Sequence, residues 1–293
     1  MIKRISLFVL TNFLILLMLG VTLTIAQQFF GLSLNTNMGH FVIAAVIGFG
    51  GAFLSLFISK WVAKWTTGAK VITNPQSAQE KWLCQTVELQ AKKAGIKTPE
   101  VAVYPGAEVN AFATGATRNN ALVAVSEGML RTMSQDEIEA VLAHEVSHVA
   151  NGDMVTLTLI QGVMNTFVIF FARVIGTFVD RVIFKNEGGP GIGFFVANIA
   201  AQIVLGILAS TVVMAFSRHR EYKADLGGAA LSTKPKMIAA LKRLQLMQSD
   251  NAPLPDAIRA FGIRGNIGSL FSSHPPLEKR IEALQRNPNP TVQ

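Results

Sequence analysis

The sequence predicts an α+β integral membrane protein: four apolar membrane helices in two hairpins, with a cytoplasmic, mainly helical domain carrying a small β-sheet. Three observations predict it. Half of the 293 residues are hydrophobic and only 15% are charged, with a mean hydropathy of +0.39, too apolar for an ordinary soluble enzyme. Uncharged stretches long enough to cross a bilayer occur in two pairs. Between the pairs lies a polar stretch with helix caps, short β patterns and His144-Glu145-Val146-Ser147-His148.

A net charge of +8 raises the question of nucleic acid. The basic residues do not form one patch interleaved with aromatics, however; they flank the apolar segments, as positive-inside topology requires. The partner implied is a lipid bilayer and not nucleic acid. Cys84 is the single cysteine, so there is no intrachain disulfide framework, which suits a cytosol-facing domain.

In chain order, residues 1–60 read as a first transmembrane hairpin. After Lys3 and Arg4, Ile5 to Ala26 is uncharged. No small-x-small cleavage site follows a short apolar core, so a signal anchor is expected rather than a cleaved leader. Phe41 to Ser59 is the second apolar segment and ends at Lys60, Lys64 and Lys70, whereas the link from Gly31 to Gly39 has no Lys or Arg. That asymmetry puts the N-terminus and the chain after Lys60 in the cytoplasm.

Residues 61–154 read as the cytoplasmic domain. Ser77 with Glu80 and Ser134 with Glu137 are capping boxes, each opening a helix. Val101 to Tyr104 and Ala121 to Val125 have strand character, with Asn110 to Gly115 between them. Residues 155–217 form the second hairpin, Val155 to Ala172 and Ile192 to Ser217, joined by a turn at Lys185 to Pro190. Past Arg173 the first of these either projects from the bilayer or folds back as a re-entrant piece. Residues 218–293 are a polar, helix-rich C-terminal part returned to the cytoplasm.

The helix opened by Ser134 carries Ile138, Val141, Leu142 and Val149 at helical spacing and stops at Gly152. His144 and His148, four residues apart, therefore stack on one face. Two converging imidazoles are two legs of a tetrahedral zinc site, and Glu145 is placed to reach a water on that metal. The bland alternative is an exposed helix with an ordinary His/Glu face. The extended pattern with a downstream Gly and third His is not met, since Asn151 and Met154 occupy those positions. A glutamate from a second helix is the remaining common solution. Glu221 and Asp225, four apart where the last apolar segment leaves the membrane, emerge on the same side as the histidines. Glu221 then supplies the third ligand and Asp225 accepts an imidazole N–H; otherwise both acids pair with Arg218, Arg220 or Lys223. Asp153 reads as a helix opener without a catalytic role, and His40 and His219 as an interfacial residue and a juxtamembrane cation.

H-E-x-x-H between two membrane hairpins, followed by Arg220-Glu221-Tyr222-Lys223-Ala224-Asp225, resembles the HtpX-type membrane zinc metalloproteases, gluzincin relatives of the CAAX prenyl proteases. The resemblance implies a bacterial inner-membrane endopeptidase, induced by heat or envelope stress, that clears misfolded membrane proteins on the cytoplasmic side. It implies one Zn²⁺ per chain on His144, His148 and Glu221, Glu145 as the catalytic base, and self-cleavage beside membrane-protein substrates. Asn110-Ala111-Phe112-Ala113 is similar to the gluzincin edge-strand motif, in which the Asn110 amide holds substrate backbone; without the family it is a turn asparagine. His274-Pro275-Pro276-Leu277-Glu278-Lys279-Arg280 resembles a family segment whose His274 and Arg280 stabilise the oxyanion; on spacing alone His274 is a helix-entry residue. Two rivals remain. A non-catalytic chaperone or scaffold with a structural metal would need a fourth ligand, usually Cys, and only the distant Cys84 exists. A prenyl-protein processing protease would need a larger intramembrane chamber than four segments provide.

Overall fold

A computed structural model describes residues 37–250 and 274–287 of the chain. The first expected membrane segment, Ile5 to Ala26, lies outside the described residues. The chain divides into two compact units, one of Met1–Leu56 with Leu157–Val213 and one of Phe57–Thr156 with Met214–Gln293. Among the described residues, three helices are long and apolar enough to cross a membrane: Phe41–Thr67, Asp153–Ile183 and Ile192–Leu231.

The first helix, α1 (Asn37–Thr67), continues past Ser59, where its apolar stretch ends. Beyond Ser59 no Gly or Pro occurs until Gly68, whose φ of 70° turns the chain out. Lys60 and Lys64 on this extension pair with Glu100 at 2.7 and 3.3 Å.

In the apolar unit, the helix from Asp153 does not stop at Arg173. It runs to Phe178 and adds a π-helical turn, Val179–Ile183. One carboxylate organises the turn that follows. Asp180 accepts hydrogen bonds from Asn186 Nδ2 and the Gly191 N–H, both 2.9 Å, and from the Phe194 N–H at 3.2 Å. It thereby ties the loop to the first turn of the next helix, Ile192–Leu231, which is 40 residues long. At 1.5 Å per residue such a helix measures about 60 Å, roughly twice the hydrocarbon thickness of a bilayer. Its polar end begins at Arg218.

The polar unit holds a four-stranded mixed sheet. Its strands are β1 (Lys70–Val71), β2 (Glu100–Tyr104), β3 (Ala111–Thr117) and β4 (Asn120–Ser126), in the order β1-β2-β4-β3. β2 and β4 are parallel, and the two outer pairings are antiparallel. β4 is the central run Ala-Leu-Val-Ala-Val, buried throughout, as a strand covered on both faces must be. β3 is an edge.

The helices of this unit are α2 (Ala78–Lys93), α3 (Glu127–Thr132), α4 (Gln135–Asn151), α5 (Asp153–Phe178), α6 (Ile192–Leu231), α7 (Lys234–Asp250) and α8 (Leu277–Arg286), with α5 and α6 contributing only their polar ends. Both capping boxes are formed, at Ser77–Glu80 and Ser134–Glu137. α4 packs against α2, β3, β4 and α7, and α8 against α7. Its apolar stripe of Ile138, Leu142, Val146 and Val149 is buried, the first three in one cluster with Leu83, Val123, Val125, Leu231, Leu241 and Leu284. At about 1.5–3 kcal/mol for each large side chain buried, this stripe fixes α4 firmly, and α4 carries the histidines.

Candidate metal centre

α4 is apolar on its inner stripe, and the adjacent face presents His144 and His148 to α6. What lets α6 come close is a glycine pair. A Cβ at Gly227 would stand 2.0 Å from Ser147 Oγ, and one at Gly228 would stand 3.0 Å from the His144 N. With nothing there but hydrogen, α6 lies directly against α4, and Glu221 and Asp225 reach the imidazoles. Gly227→Ala should therefore destabilise the protein by about 1–3 kcal/mol, the scale of overpacking. Adding Ser147→Ala removes the 2.0 Å contact but leaves Ser147 Cβ at 2.9 Å, so it should recover only part of the loss. Thermal unfolding of the single and double variants measures this, and equal stability of Gly227→Ala and the parent would refute it.

The ligand atoms converge. His144 Nε2 and His148 Nε2 are 3.1 Å apart, His148 Nε2 is 3.2 Å from Glu221 Oε1, and His144 Nε2 is 3.5 Å from Glu221 Oε2. For zinc bound at about 2.0–2.1 Å, the edge of the ligand tetrahedron is about 3.3 Å. The three spacings straddle that value. Glu221 Oε2 is also buried without a well-formed hydrogen bond, although His274 Nδ1 and Arg280 Nη1 lie 2.8 and 3.2 Å away. Two imidazoles and a carboxylate are the donor set of an open zinc site, so the residues present fit the metal.

Each imidazole meets a carboxylate at its other nitrogen. His144 Nδ1 is 3.0 Å from Asp225 Oδ1, and His148 Nδ1 is 2.5 Å from Asp153 Oδ2. Arg280 closes its fork on Asp225, with Nε and Nη2 donating at 2.8 and 2.6 Å. Burial pushes both imidazoles down, yet their carboxylate partners outweigh it. Asp225 and Glu221 hold His144 above its ordinary value, and Asp153 and Glu221 push His148 up to about 10. The carboxylates thus draw positive charge to the point where the ligands meet.

Glu145 lines a cavity of about 510 Å³ together with Asn110, His144, His274 and Arg280. Among the described residues no side chain hydrogen-bonds it. Asn110 is exposed, just ahead of edge strand β3. Its backbone is pinned, since its N–H donates to Ser126 Oγ at 3.1 Å and its carbonyl accepts from the Ser126 N–H at 2.9 Å. Every residue that the sequence singles out for chemistry therefore surrounds one cavity or the ligand cluster beside it. The contact of Asp153 with His148 and the close approach at the glycine pair were not read from the sequence. The available signal for Asp153 was Gly152, whose left-handed conformation (φ 69°, ψ 31°) turns the next residue back toward the last turn of α4.

The profile of peptidase family M48 matches residues 77–287. The chain belongs to peptidase family M48. It is 57% identical over 294 residues to "Protease HtpX" of Alkalilimnicola ehrlichii, covering 97% of each chain. It is 58% identical over 293 residues to "Protease HtpX homolog" of Nitrosomonas europaea, covering 97% of this chain and 99% of that one. In fold it is similar to the crystal structure of S. mikatae Ste24p, with a TM-score of 0.69 at 20% identity. That likeness covers 97% of this chain and 65% of the other, so the present chain spans just under two thirds of that protein. This M48 chain is an HtpX-type membrane metalloprotease, and its family implies a metal where His144, His148 and Glu221 converge.

Proposed function

We propose that the chain is a zinc-dependent endopeptidase of the bacterial inner membrane that cleaves misfolded or damaged membrane proteins on the cytoplasmic side. The observation that carries this reading is the meeting of His144, His148 and Glu221 at metal-ligand spacing beside Glu145, at a cavity bordered by Asn110 and the start of edge strand β3. Zinc, when bound there, lowers the pKa of water toward neutrality and polarises a carbonyl.

The other contributions come from the chain. Glu145 takes a proton from the attacking water and hands it to the leaving amine. The free edge of β3 accepts an extended substrate as a further strand, and the Asn110 amide, on a backbone anchored by Ser126, holds the peptide beside it. Asp225 fixes the tautomer of His144. The guanidinium of Arg280 is buried and committed to Asp225 and Glu221, which supports a role in holding those carboxylates. His274, whose Nδ1 faces Glu221 Oε2 at 2.8 Å while its side chain is 62% exposed to the cavity, is assigned to the developing oxyanion.

Detergent-purified protein should contain close to one zinc per chain, and a chelator should abolish its cleavage of a membrane-protein substrate and of itself. Readdition of zinc should restore both. Cleavage that persists after complete metal removal would sink the reading.

The orientation rests on Lys3, Arg4, Lys60, Lys64, Arg218 and Arg220 flanking apolar segments on one side. Fusions after Lys70 and Gln293 should report cytoplasmic locations. A periplasmic signal from either would reverse the topology.

A further inference from the structure

We propose that Asp153, tethered by Arg220, is the positioning residue for His148. Its carboxylate holds the imidazole so that Nε2, and not Nδ1, faces Glu221. The inference rests on His148 being a metal ligand, and it gives a job to a residue that otherwise reads only as the opening of a membrane helix.

Three observations carry it. First, Asp153 Oδ2 is 2.5 Å from His148 Nδ1, and both side chains are nearly closed off, with 10% and 14% exposed. A carboxylate placed there to cap α5 would turn toward the helix's own N–H groups; this one faces the imidazole. Second, the geometry depends on the single residue between α4 and α5. Gly152 is left-handed and its N–H closes α4 on His148 O and Val149 O, so the helix ends there and the next residue, Asp153, stands beside the histidine. Third, Asp153 is itself gripped. Arg220 Nη1 donates to the Asp153 main-chain carbonyl and stands 3.7 Å from its Oδ1, with only 11% of the arginine side chain exposed.

Arg220 directly precedes Glu221, so adjacent residues of α6 hold the orienting carboxylate and supply the ligand carboxylate. The arrangement repeats on the other imidazole, where Asp225 faces His144 Nδ1 and Arg280 grips Asp225. Each histidine thus has its own Asp and each Asp its own Arg. A metal-ligating imidazole whose second nitrogen is held in this way is fixed in tautomer and is the more basic ligand. Losing that support typically costs about 10–100-fold in metal affinity or activity.

The test uses the full chain in detergent. Zinc affinity is measured by competition with a chromogenic chelator, ligand geometry by the visible spectrum of the Co²⁺-loaded protein, and fold by thermal unfolding after chelation. Serine still opens a helix but is too short to reach the imidazole; asparagine keeps the shape and a weaker acceptor. Asp153→Ser should bind zinc about 10–100-fold more weakly with an altered Co²⁺ spectrum, Asp153→Asn should lie between it and the parent, and both should unfold near the parent temperature. Parental zinc affinity and Co²⁺ spectrum in Asp153→Asn and Asp153→Ser would overturn the proposal, whether or not stability falls. If Asp153→Ser does not fold, Asp153→Asn decides alone: weaker binding supports the role, and parental binding removes it. His148→Ala is measured beside them. Parental affinity in that variant would sink the ligand set itself, which separates that failure from a failure of Asp153.

Discussion

Glu145→Gln should leave zinc bound and the fold intact while cleavage falls by about 10²–10⁴-fold, the usual scale of a general base. The substitution is nearly isosteric, and Glu145 has no hydrogen-bonding side-chain partner among the described residues, so the hydrogen bonds of the site are kept. It lies beside His144 at the cavity, not in the ligand cluster. What the amide removes is basicity, together with one negative charge near His148 and Arg280. The variant should also stop cutting itself and accumulate at full length. The measurement is zinc per chain alongside cleavage rate in one detergent. A variant that loses its zinc would make Glu145 a ligand, and one that cleaves at the parental rate would leave the enzyme without its base.

Glu221→Gln should lose both zinc and activity, and excess zinc should restore part of each. Glu221 is 3% exposed and meets both imidazoles, with Oε1 3.2 Å from His148 Nε2 and Oε2 3.5 Å from His144 Nε2. The amide keeps an oxygen in that place but no negative charge, and a neutral oxygen is a far weaker partner for a divalent cation. The loss reaches beyond the metal. Arg280 Nη1, 3.2 Å from Glu221 Oε2, would keep its charge in a buried site with one carboxylate fewer. Breaking a buried ion pair from one side costs about 3–5 kcal/mol, and Asp225, which retains two bonds to the same guanidinium, should hold the loss to the lower part of that range. The variant should therefore unfold at a lower temperature than Glu145→Gln. Parental zinc content in Glu221→Gln together with loss of zinc from Glu145→Gln would exchange their roles, and equal unfolding temperatures would refute the buried-pair argument.

Much of the site was legible because helical spacing is local. His144 and His148 share a face once α4 is helical, and the capping box at Ser134 and the apolar stripe both announce that helix. The caps of α2 and α4 needed only neighbours three residues apart, and β2 and β4 were marked by their composition. Element ends were harder to read. Charge marks where a helix leaves an apolar environment but does not break it, so α1 continues past Lys60 to Thr67 and α5 continues past Arg173.

By itself, then, the sequence determined the class of this protein, an apolar chain with a polar α+β unit, together with the two histidines, Glu145 between them and a glutamate on a later helix. Those are short-range or compositional properties, fixed by periodicity and by the cost of putting charge into hydrocarbon. Tertiary structure alone decided how the parts meet. Glu221 reaches the imidazoles because Gly227 and Gly228 let α6 lie on α4, Asp153 returns to His148 because Gly152 is left-handed, and Arg280 is drawn onto Asp225 from a helix 55 residues further on. Such contacts depend on backbone approach and on which buried charge finds which partner. No local pattern records either, because a glycine that permits contact and one that ends a helix are the same letter until the chain is folded.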